Sequence, residues 1–251
     1  MKPTTPHPSP LTPHQTALVV FAKAPIPGQV KTRLCPPLTP DEAATLHGSF
    51  VLDTLERTKA AVATLKLPID RYLACAPSAT HVFFKIMEER QGVKLIDQVG
   101  DDLGARMNQA FYTLFSHGYG QVLLIGTDVP TLPLDHFKLA LLALENHDLV
   151  LGPALDGGYY LIGLTRMAPG LFTDMPWSTD QVLRLTQEKA AAIGLKASLI
   201  QPWRDVDTLA DLEALIEACS AEAKKAKNDR VFSSRTTGVL QALTKRLCLR
   251  A

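Results

Sequence analysis

Cysteine is scarce in this 251-residue chain: Cys35, Cys75, Cys219 and Cys248 are all there is, and no two form a C-x-x-C pair. That spacing gives no zinc-ribbon site and is too sparse for a disulfide framework, so reduced thiols in a cytoplasmic protein are the expectation. The seven histidines supply neither H-x-H nor H-E-x-x-H, and a histidine-based metal centre has no support. Long apolar runs are missing too. The first, residues 17–22, is far shorter than the roughly 18 residues a membrane-spanning helix needs, and no later run approaches it. Residues 1–16 hold prolines at 3, 6, 8, 10 and 13 with almost no large apolar side chain, which reads as a flexible extension rather than a signal peptide. No membrane span is expected.

Strong net charge is also absent, but the formal +1 is unevenly spread. Residues 221–251 carry a net +6, leaving −5 on residues 1–220. A nucleic-acid-binding surface is therefore not expected on the body; only a basic tail remains as an arm. With 46% apolar and 20% charged residues, the chain has an ordinary globular composition and enough length for one substantial core.

What is present is an alternation of short β-branched runs with longer helical patterns, the signature of a mainly parallel sheet covered on both faces. Strands are expected at 17–23, 70–75, 93–96, 121–126, 148–152, 159–164 and 197–200. Helices are expected at about 40–61, 78–90, 102–117, 134–145, 179–193 and 209–218. Thr39, Pro40 and Glu42 form a helix start signal. Asp156-Gly157-Gly158 predicts a turn joining two antiparallel strands. The division read from this pattern is a flexible extension over 1–16, one domain over 17–220 and a basic tail over 221–251. Solvated disorder is the default for that tail, with 239–249 readable as a short basic amphipathic helix.

The densest chemical signal follows the first strand: Phe21-Ala-Lys23-Ala-Pro-Ile-Pro-Gly28-Gln-Val-Lys31-Thr-Arg33-Leu34. Ligands of open α/β sheets sit at the carboxyl ends of strands. Lys23, Lys31 and Arg33 place three cations at that edge, and Gly28 would let backbone approach a ligand; phosphate oxygens are the natural partner. An ordinary solvated loop is the plain alternative. The segment is neither a P-loop nor G-x-G-x-x-G.

Together with Gly126-Thr-Asp128-Val-Pro130, Gly152-Pro-Ala-Leu-Asp156-Gly-Gly158-Tyr-Tyr160 and Pro176-Trp-Ser-Thr179, that loop resembles the bacterial GT-A-like glycosyltransferase family once catalogued as a domain of unknown function. The resemblance covers about residues 17–220. It implies a nucleotide-diphospho-sugar transferase fold, a three-layer α/β/α sandwich with a mixed, mainly parallel sheet. The cationic segment is also similar to its counterpart in molybdenum-cofactor and phospholactate guanylyltransferases of the same superfamily.

Asp128 closes the strongest strand pattern, where its carboxylate could hold Mg²⁺ or Mn²⁺ against a diphosphate. GT-A enzymes usually carry D-x-D; here one carboxylate precedes Val129-Pro130, and a plain turn is the alternative. Asp156 and Asp207 are candidates for a second carboxylate. Asp156 is equally a turn former, and Asp207 or Thr208 can cap the last helix with Asp211. By the resemblance, Arg106 or Asn108 would touch the nucleotide. Tyr159, Trp177 and Thr179 would line the acceptor side; Tyr159 and Tyr160 alternate, so only one can face a cleft. Ser178 with Gln181 fits a capping box.

The leading expectation is metal-assisted glycosyl transfer from a nucleotide-diphospho-sugar to a small-molecule acceptor, with Asp128 and Asp156 catalytic. Nucleotidyl transfer from a nucleoside triphosphate to a phosphorylated acceptor is the second. A non-catalytic nucleotide-binding protein is the third.

Overall fold

The computed structural model of the protein describes residues 15–66, 68–222 and 231–247. Most of the proline-rich extension, the link 223–230 and Cys248 lie outside the described residues.

Strand β1 (Thr16–Lys23) is central, flanked by β2 (Ile69–Ala76) and β4 (Gln121–Ile125) and parallel to both. Strand β3 (Lys94–Asp97) extends the sheet beyond β2, also parallel. On the other side β6 (Tyr159–Leu164) runs antiparallel between β4 and β5 (Leu149–Pro153), and β7 (Ala197–Leu199) lies parallel to β5. The order is β3-β2-β1-β4-β6-β5-β7, a mixed, mainly parallel sheet with the expected antiparallel pair after the Gly-Gly turn. Because β2 and β4 leave β1 on opposite sides, a crevice opens beyond the carboxyl ends of β1 and β4.

Side chains alternate across this sheet as the period of two requires. Leu18, Val20 and Ala22 of β1 pack with α1 (Pro40–Leu65), α2 (Val82–Gln91) and α4 (Asp135–Leu144). Ala17, Val19 and Phe21 pack with α3 (Leu103–Ser116) and α5 (Val182–Ala192) on the opposite face. Helix α1 starts where the sequence signal put it, with Thr39 and Glu42 in a reciprocal capping box.

Helix α1 is buried on two sides. Val51, Leu55 and Ala61 face the sheet, while Ala43, Leu46 and Phe50 meet α6 (Leu209–Glu222) and α7 (Ser234–Leu247). The basic tail expected from residue 221 is therefore, over Ser234–Leu247, a packed helix. Leu240 and Leu243 are buried in this third cluster. Buried Asp53 of α1 accepts bonds from Arg235 Nη1 at 2.6 Å and from Thr236 Oγ1, and Arg246 pairs with Glu42. The short amphipathic helix readable at 239–249 thus begins earlier, at Ser234, and buries its apolar stripe against the body. Truncating Leu240 to Ala should lower unfolding stability by about 2–5 kcal/mol in urea titrations, the range for a buried leucine. A loss below about 0.5 kcal/mol, the range of surface substitutions, would show that α7 is not docked.

Candidate active-site cleft

A cleft of about 540 Å³ opens at the carboxyl edge of β1 and β4. Its walls include Lys23, Lys31 and Arg33 from the loop after β1, Asp128 after β4, Asp156 from the β5–β6 turn, and Asp205 and Asp207 before α6. Tyr159, Trp177 and Thr179 complete the opposite wall.

Lys31 is the knot of this arrangement. Its ammonium donates to Val206 O at 2.6 Å and Asp207 Oδ1 at 2.9 Å, and lies 2.6 Å from Asp128 Oδ1. Its side chain is only 4% exposed and passes over the Phe50 ring. Burial alone would push this ammonium down, but the adjacent Asp128 and Asp207 carboxylates outweigh it and hold its pKa above the ordinary lysine value. Two of its N–H bonds go to Val206 O and Asp207 Oδ1, and the Asp128 carboxylate pairs with the same charge, so this ammonium is committed to neighbouring loops. The loop accepts strain to place it: Lys31 sits at φ 49°, a left-handed conformation that costs a non-glycine residue about 1–2 kcal/mol. Backbone pairing of Val206 N with Asp128 O at 2.9 Å ties the same two loops again.

Arg33 stays open. Its guanidinium is largely exposed, 3.7 Å from Asp207 Oδ2, and with exposed Lys23 it leaves positive charge facing the cleft. Gly28 plays a different part from the one expected. It does not line the cleft, and a Cβ there would meet nothing within 4 Å; its φ of 78° is what calls for glycine.

Three carboxylates converge across from Arg33. One oxygen from each of Asp156, Asp205 and Asp207 lies within 4.8 Å of the other two. Octahedral coordination at 2.0–2.1 Å puts ligand oxygens about 2.9 Å apart when adjacent and about 4.2 Å when opposite, so small side-chain movements close this trio on a divalent cation. The electrostatics agree with that fit. Burial, then the neighbouring Asp156 and Asp207 charges, push the Asp205 carboxyl up to about 7, as expected where like charges crowd without a counter-ion. Asp128 is not part of the trio; its carboxylate pairs with Lys31.

Helix capping falls to other atoms. Thr208 and Asp211 exchange the bonds of a capping box at the start of α6, which leaves both Asp207 oxygens turned to Lys31 and Arg33. Asp156 forms its expected turn, accepting from Gly158 N at 2.8 Å, and still reaches the trio. Tyr159 faces the cleft while Tyr160 is buried, bonded to His136 and Gln201 O. Ser178 does not cap α5: that helix begins at Val182, and Ser178 adopts φ 65° with Thr179 Oγ1 receiving Gln181 N. Arg106 and Asn108 do not line the cleft. Arg106 folds back on Gly100 O at 2.9 Å. Asn108 sits one turn beyond Gly104 with its Oδ1 buried. Trp177 packs on Gly104 so closely that a Cβ there would fall 2.7 Å from its ring.

A bacterial family described as an uncharacterized conserved protein, DUF2064, matches residues 59–179. A Desulfovibrio desulfuricans G20 protein, provisionally named a nucleotide-diphospho-sugar transferase, is 33% identical over 93% of this chain and 96% of its own, with a TM-score of 0.78. The chain belongs to this family. A search of curated protein sequences finds no match. The family shares its fold with a Leptospira borgpetersenii cytidylyltransferase (16% identity, 94% of this chain and 95% of that one, TM-score 0.54). It shares it also with a CMP:2-keto-3-deoxy-manno-octonic acid synthetase bound to CTP (12% identity, 83% and 99%, TM-score 0.53). Among the described residues, no helix is long and apolar enough to cross a membrane.

Asp205 and His47, both lining the cleft of this DUF2064 protein, are not among the site candidates that the sequence names. Asp205 lies in the same acidic stretch as Asp207 and Asp211, where the candidate ligand is Asp207. His47 stands mid-helix in α1, 5% exposed, with Nε2 3.0 Å from Lys23 O and its pKa lowered by burial; nothing at its sequence position separates it from a core histidine. Replacing Lys31 with Met removes the cation shared by Asp128 and Asp207. The variant should lose about 1–3 kcal/mol, since those carboxylates are partly exposed rather than deeply buried. Scanning calorimetry should show Mn²⁺ restoring more of the melting temperature in this variant than it adds to wild type. Equal shifts would mean the ammonium is not neutralising the pair.

Proposed function

We propose that this protein is a glycosyltransferase that takes a sugar from a nucleotide-diphospho-sugar with a divalent metal bound by Asp156, Asp205 and Asp207. The observation carrying this reading is that the exposed cations and the carboxylate trio line a single cleft at the sheet's switch point, with Arg33 3.7 Å from Asp207. Arg33 and Lys23 would bind the diphosphate. The metal, when bound, would offset charge developing on the leaving diphosphate.

The chain's own residues do the positioning. Lys31 fixes Asp128 and Asp207 before any ligand arrives, so little reorganisation is needed at the moment of reaction. Tyr159 and Thr179 line the same cleft beside Asp156 and would receive the sugar and its acceptor. Thr179 is itself held by its hydroxyl on Pro176 O at 2.8 Å.

Nucleotidyl transfer is a second reading, favoured by one feature: β4 ends in a single carboxylate followed by Val129-Pro130 and tied to lysine, instead of a D-x-D pair. The products separate the two. Incubation with nucleotide sugars and Mn²⁺ should release free nucleoside diphosphate. Pyrophosphate released from nucleoside triphosphates over phosphorylated acceptors would establish the second reading instead. In either chemistry Asp205→Asn should weaken Mn²⁺ binding by about 10-fold or more in titration calorimetry, since the substitution removes one of three anionic ligands. Unchanged affinity would place the metal elsewhere.

A further inference from the structure

Gln98 closes the end of the cleft away from the carboxylates, and its hydrogen bonds determine what it can recognise. Its Nε2 donates to Ala22 O at 3.1 Å and to Ala74 O at 2.9 Å, on β1 and β2. Its backbone N–H donates to Cys75 O at 3.0 Å. A carboxamide nitrogen has two N–H bonds, and both are spent on the sheet. The orientation of the amide is thereby settled, because the reverse flip would set its oxygen against two carbonyl oxygens. The side chain lines the cleft, and the atom it has left for a ligand is Oε1, an acceptor that cannot donate. Beside it the side chains of Phe21 and Leu103 line the same cleft, and Leu103 is 46% exposed.

Resting on the nucleotide-binding reading above, we infer that Gln98 selects the base of the donor, favouring bases that carry an exocyclic amino group over uracil and thymine. Phosphates belong at the charged end beside Arg33, which leaves the apolar end for the flat base. An amino group offers N–H bonds to a lone acceptor. Uracil instead presents a single N3–H flanked by O2 and O4, so Oε1 facing it meets two like partial charges. A glutamine free to use both amide atoms could pair with uracil; this one, held by the strands, cannot.

The test measures binding of CDP, UDP, GDP and IDP to the full chain with Mn²⁺ by titration calorimetry. CDP and UDP differ at the 4-position amino group and the adjoining N3 proton, and GDP and IDP only in the 2-amino group. Wild type should bind CDP over UDP, and GDP over IDP, by about 10-fold or more, the scale of leaving one buried polar group unpaired. Gln98→Leu should bring the preferred pair's ratio close to one. Preference within one pair alone supports the inference and identifies the base. Equal affinities within both pairs in wild type overturn it, a result that needs no variant to fold. A ratio preserved in a folded Gln98→Leu variant also overturns it. No binding of any diphosphate would instead sink the nucleotide reading itself.

Discussion

The ammonium of Lys31 is the constraint on which the site is built. It joins three segments far apart in sequence: the loop after β1, the end of β4 at Asp128, and the stretch before α6 at Val206 and Asp207. Buried between two carboxylates, it behaves as a resident cation that cannot diffuse away. An uncompensated charge in its place would cost several kcal/mol, so the loop conformation and both carboxylate positions hold together or fail together. The left-handed φ at Lys31 is the local cost of that closure, and strain of this kind persists only where surroundings over-determine it.

Helix α1 transmits the body's stability to that knot. Its Phe50 lies under the Lys31 ammonium, and its His47 holds the carbonyl of Lys23. On its outer side the same helix is clamped by α6 and α7 through Asp53, Arg235 and the third apolar cluster. A C-terminal helix with no residue in the cleft thus supports the helix that forms the cleft's floor. This is why Ser234–Leu247 packs with the body although its charge suggested otherwise.

The sheet and its covering helices were legible because their signals are local and periodic. Residues 121–126 and 159–164 read as strands on composition, and the Gly-Gly turn between 148–152 and 159–164 predicted the antiparallel pair. The gathering of Lys23, Lys31, Arg33, Asp128, Asp156 and Asp207 at one edge was legible too, since a strand's carboxyl end fixes where its following loop must lie. Division of labour within that group was not. Whether a lysine meets phosphate or a neighbouring aspartate depends on a separation of 176 residues closed only by the fold. The same holds for Asp205, whose significance is its distance from Asp156 across another loop, and for α7, whose partner stripe lies on α1. Arg106 and Asn108 were placed by analogy with relatives; the turn that folds Arg106 onto Gly100 is a property of this loop.

Charge balance at the cleft shows why the trio matters more than the aspartate at the end of β4. Asp128, Asp156, Asp205 and Asp207 converge, and Lys31 neutralises two of them. Arg33 stands off at 3.7 Å and is largely exposed, where an ion pair is worth little. Among the described residues Asp156 and Asp205 have no such cation, and burial together with the nearby carboxylates raises the Asp205 pKa. A protein selected for stability alone would have replaced one of these carboxylates with an amide, removing the repulsion at no loss of hydrogen bonding. Retaining all of them leaves a site that is electrostatically incomplete until a cation arrives, facing cations that are incomplete until an anion arrives. Under the proposed function, a metal–diphosphate pair would satisfy both deficits at once.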